Sequence, residues 1–428
     1  MKFHYTDTCG LFDLTIEETQ KQLTPYTQHL QSVVAKQNYE HSESSINLPT
    51  DTKLEAQVKQ LASEKITQKL KYVVIIGIGG SNLGTKAVYD ALRGYYDQVE
   101  QTRFPRMVFL DTQHEETLSR VINLIQSLGD KEEILINAIS KSGGTTETIV
   151  NLEVVFDAMK EKFQHVEDRF VITTSKDSAF QNKAHELGIA TLTIPETVGG
   201  RFSVLSAVGL FPLLAVGINI DLLRQGATEM RNLCVDGDLK TNPAALSATI
   251  LYLHNKEGKN IHDSFFFAPQ LESLGKWYRQ LTGESIGKEG KGITPTASVG
   301  SNDLHSVVQL YLGGPKDKIT SFVYPIHSSE GQVWIPQQPV FGIVQGIAKK
   351  QVSAVMKAII EGVKIAYKKR ERPYVLIEIE EIGEKELGAF LQFKMIEMMY
   401  LGRLLEVNTF DQPEVELYKI ETKRILQS

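Results

Sequence analysis

The sequence predicts an α/β protein with parallel strands and helices on both faces of the sheet. Three observations carry this. Short apolar runs recur along the chain and end in small or polar residues; helix-length stretches separate them; and the runs are continuous, not alternating, as in strands covered on both sides. Residues 1–68 come first and read as polar and helical, with Leu54, Val58, Leu61 and Ile66 in an approximate helical stripe. A Ser-, Asn- and Glu-rich stretch from Asn38 to Asp51 reads as a loop within them. Strands follow at 72–76, 107–110, 134–139, 170–172 and 191–194, with helices over 82–96, 114–127, 145–162 and 177–187. Nineteen residues without a charge, 202–220, reach the length of a membrane span. Ser203, Ser206, Pro212 and Asn219 within them, and the α/β pattern around them, predict a buried core helix instead. A second α/β region has helices over 221–233, 244–254, 346–366 and 385–405 and strands at 265–268, 319–324 and 374–379. The last strand alternates Leu376, Glu378 and Glu380 with apolar residues, which predicts a half-exposed strand. A final helix is expected over 414–426. The division that follows is a helical segment over 1–68, α/β domains over 69–220 and 221–405, and a helical tail over 406–428.

Composition narrows the function classes. A chain of 428 residues suits about two to three domains, and 42% hydrophobic with 23% charged residues is ordinary globular composition. Cys9 and Cys234 cannot build a disulfide framework and fit a reducing compartment, so a cytoplasmic location is expected. Met1 to Leu14 carries Asp7 and Asp13 without an apolar core, unlike a signal or transit peptide. A net charge of −6 argues against nucleic-acid and membrane-surface partners. Any anionic ligand must therefore be held by local donors. No H-E-x-x-H, paired C-x-x-C or EF-hand loop occurs, and His254 and His262 are too far apart to be a local ligand pair, so no metal is expected.

Ligands of open parallel sheets bind beyond the carboxyl ends of strands, so the strand ends hold the candidates. Gly77-Ile78-Gly79-Gly80-Ser81-Asn82-Leu83-Gly84 follows a strand and opens a helix, where bare N–H groups can approach an anion. A dinucleotide fingerprint would need glycine where Asn82 stands, so an anion site and a ligand-free tight turn both remain open there. Ser140-Lys141-Ser142-Gly143-Gly144-Thr145-Thr146 also lies between strand and helix; its hydroxyls suit a phosphomonoester, and the plain reading is a Ser/Thr cap. Arg201, just ahead of the uncharged stretch, is expected to be buried and to need an anionic partner, structural or chemical. Glu284, read as a loop glutamate among glycines, is a candidate general base, and His305 a candidate acid or base. Taken singly, each is equally a solvated side chain. Asp411 and Pro413 look like a helix start, with Lys419 on the helix.

Together these segments resemble the phosphoglucose isomerase family, in its shorter, bacterial-type form. The resemblance rests, in order, on Gly-Ile-Gly-Gly-Ser at 77–81, Ser-Lys-Ser-x-x-Thr-Thr-Glu-Thr at 140–148 and Gly-Gly-Arg-Phe-Ser at 199–203. It continues with Glu-Ser-x-Gly-Lys at 284–288, Gly-Ser-x-x-x-His at 300–305 and Phe-Asp-Gln-x-x-Val-Glu-x-x-Lys at 410–419. It implies two sugar-isomerase (SIS) αβα domains, a homodimer, no cofactor, and glycolytic interconversion of glucose 6-phosphate and fructose 6-phosphate. By the same resemblance Gly80, Ser81, Ser140, Lys141, Ser142 and Thr145 hold the phosphate, and Glu284 moves the proton between C2 and C1. His305, supplied across the dimer interface, and Lys419 open the ring; Arg201 faces the enediolate, with Gln412 in the same pocket. Two positions depart from the family pattern: Gly143-Gly144, where some members have bulkier residues, and Glu414, where many have glycine. A non-catalytic SIS sugar-phosphate sensor and an isomerase that also accepts mannose 6-phosphate are the alternatives.

Overall fold

The structure is a computed structural model that describes residues 1–328 and 331–427; Ser428, the last residue of the expected tail, lies outside them. Among the described residues, ten strands form two five-stranded sheets. The first sheet holds β2 (Tyr72–Ile76), β3 (Arg106–Leu110), β4 (Ile134–Ile139), β5 (Phe170–Ser175) and β6 (Ala190–Ile194). Its order is β3-β2-β4-β5-β6, all parallel, with Val74 opposite Val108 on one side and Ile136 on the other. β-Branched and other apolar side chains fill these strands, and β4 is buried at every residue, as a strand covered on both faces must be. The second sheet, in the order β1-β10-β9-β7-β8, is built from β1 (Lys2–His4), β7 (Ile261–Phe266), β8 (Thr294–Val299), β9 (Lys318–Pro325) and β10 (Tyr374–Ile379). Of the strands in this sheet among the described residues, β1 alone runs antiparallel, pairing Phe3 with Ile377.

Helices α1 (Asp13–Gln20), α2 (Thr24–Lys36) and α3 (Thr52–Lys65) precede the first sheet. Its connections carry α4 (Leu83–Leu92), α5 (Glu115–Ser127), α6 (Thr146–Lys162) and α7 (Ala179–Glu186), and α8 (Ala207–Ala215) follows it. The second half adds α9 (Ile220–Cys234), α10 (Pro243–Lys256), α11 (Glu272–Ile286), α12 (Val308–Gly313), α13 (Val352–Lys369), α14 (Glu384–Leu405) and α15 (Pro413–Leu426). α14 is the core helix and is buried along nearly its whole length. It crosses α9 at glycines: a Cβ on Gly388 would stand 1.9 Å from the Leu223 carbonyl oxygen, and one on Gly226 1.8 Å from that of Lys385. The uncharged stretch 202–220 is the short, buried α8 with its flanks. Among the described residues no helix is long and apolar enough to cross a membrane.

Several sequence expectations need correction. Lys2–His4 is a strand within a segment read as helical, because three residues are too few to show a period. β7 begins at Ile261, not 265, because His262, Asp263 and Ser264 are polar yet buried. Side chains partner two of them: His262 reaches Ser321 at 2.8 Å, and Asp263 Oδ1 accepts from Thr296, Ser298 and Tyr311. β10 is buried on both faces; of its residues only Glu378 is partly exposed, held by His4 and Tyr324. The helix expected over 346–366 starts at Val352. Residues 333–352 form instead an arm, closed at its base where Ile335 N–H donates to the Lys350 carbonyl and Val352 N–H to that of Val333. At its tip Val340 is 95% and Phe341 88% exposed. α15 also exposes large apolar side chains, Leu417, Tyr418 and Ile420 among them.

In the first sheet β2 and β4 are neighbours although β3 lies between them in sequence, so the strand order reverses there. That reversal is where open sheets leave a crevice at the carboxyl ends. Residues 77–82 leave the end of β2, and residues 140–145 leave the end of β4.

Candidate active site

The Ser140 loop is fastened from below. Ser140 N–H donates to the Thr173 carbonyl, and the Thr174 hydroxyl donates to the Ser140 carbonyl at 2.7 Å. Above, the Ser140 and Thr145 hydroxyls lie 2.8 Å apart and those of Ser142 and Thr145 3.5 Å apart. Thr145 precedes α6 but makes no side-chain cap, because its hydroxyl turns to Ser140. The first N–H groups of a 17-residue helix thus point toward a ring of hydroxyls, an arrangement that favours an anion. Lys141 belongs to the same loop; burial holds its amine below the usual range, opposed by the charge of Glu196 and reinforced by that of Arg201.

The Gly77–Ser81 turn meets the Gly199–Arg201 turn. A Cβ on Gly80 would fall 2.1 Å from the Gly200 carbonyl carbon, so the contact is available to glycine alone. The Ser203 hydroxyl spans the same seam, donating to the Gly80 and Gly200 carbonyls.

That seam sets Arg201, whose side chain is 2% exposed. Nε donates to the Ser285 hydroxyl at 2.9 Å. One terminal nitrogen donates to Glu284 at 3.4 Å and to Gln412 at 3.1 Å; the other donates to the carbonyls of Thr409 and Asp411. Burial pulls the guanidinium pKa down, while the charges of Glu284 and Asp411 oppose the shift.

Glu284 is not in a loop, as the glycines around it suggested. It occupies the last turn of α11, which runs through Gly283 because its other face is buried on the core. There Gln280, one turn earlier, donates to its second carboxylate oxygen at 2.9 Å. The carboxylate is thus held on both sides while its side chain remains 26% exposed. Gln412 sits just ahead of α15, and Lys288 fixes that junction by pairing with Asp411 at 2.8 Å and donating to the Asn408 carbonyl.

The structure therefore gathers Arg201, Glu284 and Gln412 in one hydrogen-bonded group, and assembles Ser140, Ser142 and Thr145 in another. Gly80 touches the Arg201 turn. It does not gather His305 and Lys419 with them. His305 is exposed in the turn after β8, and among the described residues its imidazole has no hydrogen bond or ion pair to the Arg201 group. Lys419 lies on α15 and pairs at 2.8 Å with Glu416.

Comparison with known proteins bears on the family and the fold. The family model for phosphoglucose isomerase matches residues 50–428. The chain belongs to the phosphoglucose isomerase family. A glucose-6-phosphate isomerase of Methanocaldococcus jannaschii is 34% identical over 348 residues, 80% of this chain and 81% of its own. That of Carboxydothermus hydrogenoformans is 34% identical over 384 residues, 87% and 82% of the two chains. A hypothetical protein from Thermus thermophilus has a crystal structure that covers 100% of both chains with a TM-score of 0.87 at 29% identity. A glucose-6-phosphate isomerase from Chlamydia trachomatis shares the fold, with a TM-score of 0.82 at 21% identity over 99% of this chain and 88% of its own. The SIS-type α/β fold of the phosphoglucose isomerase family is thus present here.

Sequence reasoning missed several residues around the site of this phosphoglucose isomerase family member. Gln280 had a usable signal, four residues before Glu284, once α11 is recognised. Thr409 and Asp411 act through backbone carbonyls, and a backbone carbonyl leaves no trace in residue identity.

Proposed function

We propose that this chain interconverts glucose 6-phosphate and fructose 6-phosphate through a cis-enediol(ate). The carrying observation is a buried guanidinium that touches a partly exposed carboxylate, Arg201 against Glu284 at 3.4 Å, beside a hydroxyl-lined helix N-terminus. Ser140, Ser142, Thr145, Ser81 and the N–H groups of Gly80 and Lys141 take the phosphate, which anchors the substrate and offsets the entropy of positioning the sugar. Glu284 removes the proton from C2 and returns it to C1 on the same face. Negative charge then develops on the sugar oxygens. Arg201 stabilises it more in the transition state than in the ground state, because its orientation is already fixed. Gln412 holds that orientation.

Ring opening needs an acid at the ring oxygen and a base at the C1 hydroxyl. These roles fall to Lys419 and His305, the latter delivered by a second copy of the chain. A homodimer is supported by the arm over 333–352 and by α15, which leave Val340, Phe341, Ile343, Leu417, Tyr418 and Ile420 exposed, as an interaction surface does. The division into two SIS domains over 69–220 and 221–405, flanked by helical ends, belongs to the same reading, as do a cytoplasmic location and the absence of a cofactor.

The test is a coupled assay with glucose, fructose and mannose 6-phosphates on wild type and Glu284→Gln. The amide keeps shape without basicity, so isomerisation is lost while substrate binding stays within about tenfold. Wild-type-like turnover by Glu284→Gln would overturn the assignment. Binding without turnover by the wild type would identify a sugar-phosphate sensor instead.

A further inference from the structure

A cluster outside the Arg201 group has no part in the isomerase reading. His29 on α2, and His41 and Glu43 in the connection that follows it, bring three potential ligand atoms within 4.8 Å of one another. We propose that these three residues bind a transition-metal dication of the zinc type.

The donor set has the right chemistry. Two imidazoles and one carboxylate suit Zn²⁺, Co²⁺ or Ni²⁺ and disfavour the all-oxygen preference of Mg²⁺ and Ca²⁺. The geometry is close to that of an occupied site. Tetrahedral bonds of about 2.0–2.2 Å place neighbouring ligand atoms about 3.3–3.6 Å apart. His29 Nε2 and Glu43 Oε2 already stand 3.4 Å apart. His41 has the larger distance to close, by side-chain rotation; its ring meets that of His29 edge-on at 5.5 Å.

The surroundings orient the ligands as outer partners of metal sites do. The Tyr26 hydroxyl donates to Glu43 Oε1 at 3.1 Å, which leaves Oε2 for the metal. The Tyr26 ring stacks on His29 at 5.8 Å. The backbone between the ligands is pinned: Asn47 donates to the carbonyls of Val33 and Asn38, and His41 N–H donates to the Ser44 hydroxyl. Lys36 is the competing cation. Its ammonium donates to His41 Nε2 at 3.1 Å, and as an exposed side chain it can swing away. An occupied site would clasp α2 to residues 37–43, where the Tyr39 carbonyl accepts from Thr197, beside the Gly199–Arg201 turn.

The test is zinc titration of the chelator-stripped full chain, read by calorimetry and by competition with a chromogenic chelator. One equivalent of Zn²⁺ is expected to bind in the wild type, and Mg²⁺ is not. His29→Gln and His41→Gln should each weaken that equivalent at least about tenfold, and Tyr26→Phe should weaken it by about tenfold without removing a ligand. Lys36→Gln should tighten it, by removing the competing charge. Zinc should raise the melting temperature of the wild type and not of the His29→Gln, His41→Gln double variant. Zinc binding that is equal in wild type and double variant, or unaltered by Lys36→Gln, would overturn the proposal. None of these readouts depends on isomerase turnover, so Glu284→Gln should bind zinc as the wild type does.

Discussion

A guanidinium removed from water must place five N–H donors on the protein, and Arg201 has an acceptor for each: Ser285, Glu284, Gln412 and the carbonyls of Thr409 and Asp411. Lysine offers three donors from a single point and cannot reproduce the fork. With its donors so engaged, Arg201 acts on the enediolate through its fixed positive charge, and Arg201→Lys should lower kcat/KM by about 10²–10³-fold, the range for losing a preorganised group that faces developing negative charge. It should also destabilise the fold by about 1–3 kcal/mol through acceptors left unpaired. Isomerase kinetics and denaturant unfolding measure the two effects, and an unchanged rate would remove Arg201 from the mechanism. At this scale the sequence was informative about which residue and uninformative about its partners. A lone arginine between two glycines and an apolar helix reads as buried. Its acceptors lie 83 to 211 positions away, and two are backbone carbonyls that no side-chain pattern reports.

At the scale of elements, the apolar strands of the first sheet were legible because burial on both faces leaves long β-branched runs. α11 was not, and its glycines explain why. Gly275 and Gly283 interrupt the helical pattern, and each would ordinarily cost about 1 kcal/mol relative to alanine. They have different reasons to be there. A Cβ on Gly275 would stand 2.6 Å from the Ala297 Cβ and 3.0 Å from the Phe266 ring, so this glycine is what lets α11 pack on β7 and β8. A Cβ on Gly283 meets nothing within 4 Å. Gly283→Ala should accordingly stabilise the protein by about 0.5–1 kcal/mol, and Gly275→Ala should destabilise it by about 1–3 kcal/mol. Urea unfolding of the two variants distinguishes them by sign; destabilisation by both would mean that α11 ends before Glu284. β8 was missed for a related reason. Its Thr294-Pro295-Thr296-Ala297-Ser298 is no apolar run and carries a proline, yet proline is tolerated on the edge strand of a sheet.

At the scale of the whole molecule, the first-sheet crevice and the Arg201 group are complete in one chain, whereas His305 stands exposed and apart from them. If His305 acts only on a partner's substrate, two inactive chains can repair each other. Glu284→Ala is dead in its own site but still offers a sound His305; His305→Ala keeps a sound Glu284. In a mixed dimer one site receives both lesions and the other receives neither. Statistical reassociation makes about half of the dimers mixed, and half of the sites in those are sound, so about a quarter of wild-type activity should return. If His305 served its own chain, both sites of the mixed dimer would carry one lesion each and the mixture would stay dead. The arm offers an internal control. Phe341, 88% exposed at the arm's tip, is the side chain best placed to enter a partner. Phe341→Glu in both chains should prevent association and with it the recovery, while leaving each monomer folded because nothing in its own core depends on that ring. Recovery at about a quarter in verified mixed dimers, abolished by the arm substitution, establishes a shared site; verified mixed dimers without activity would place His305 in its own chain's site or outside the chemistry.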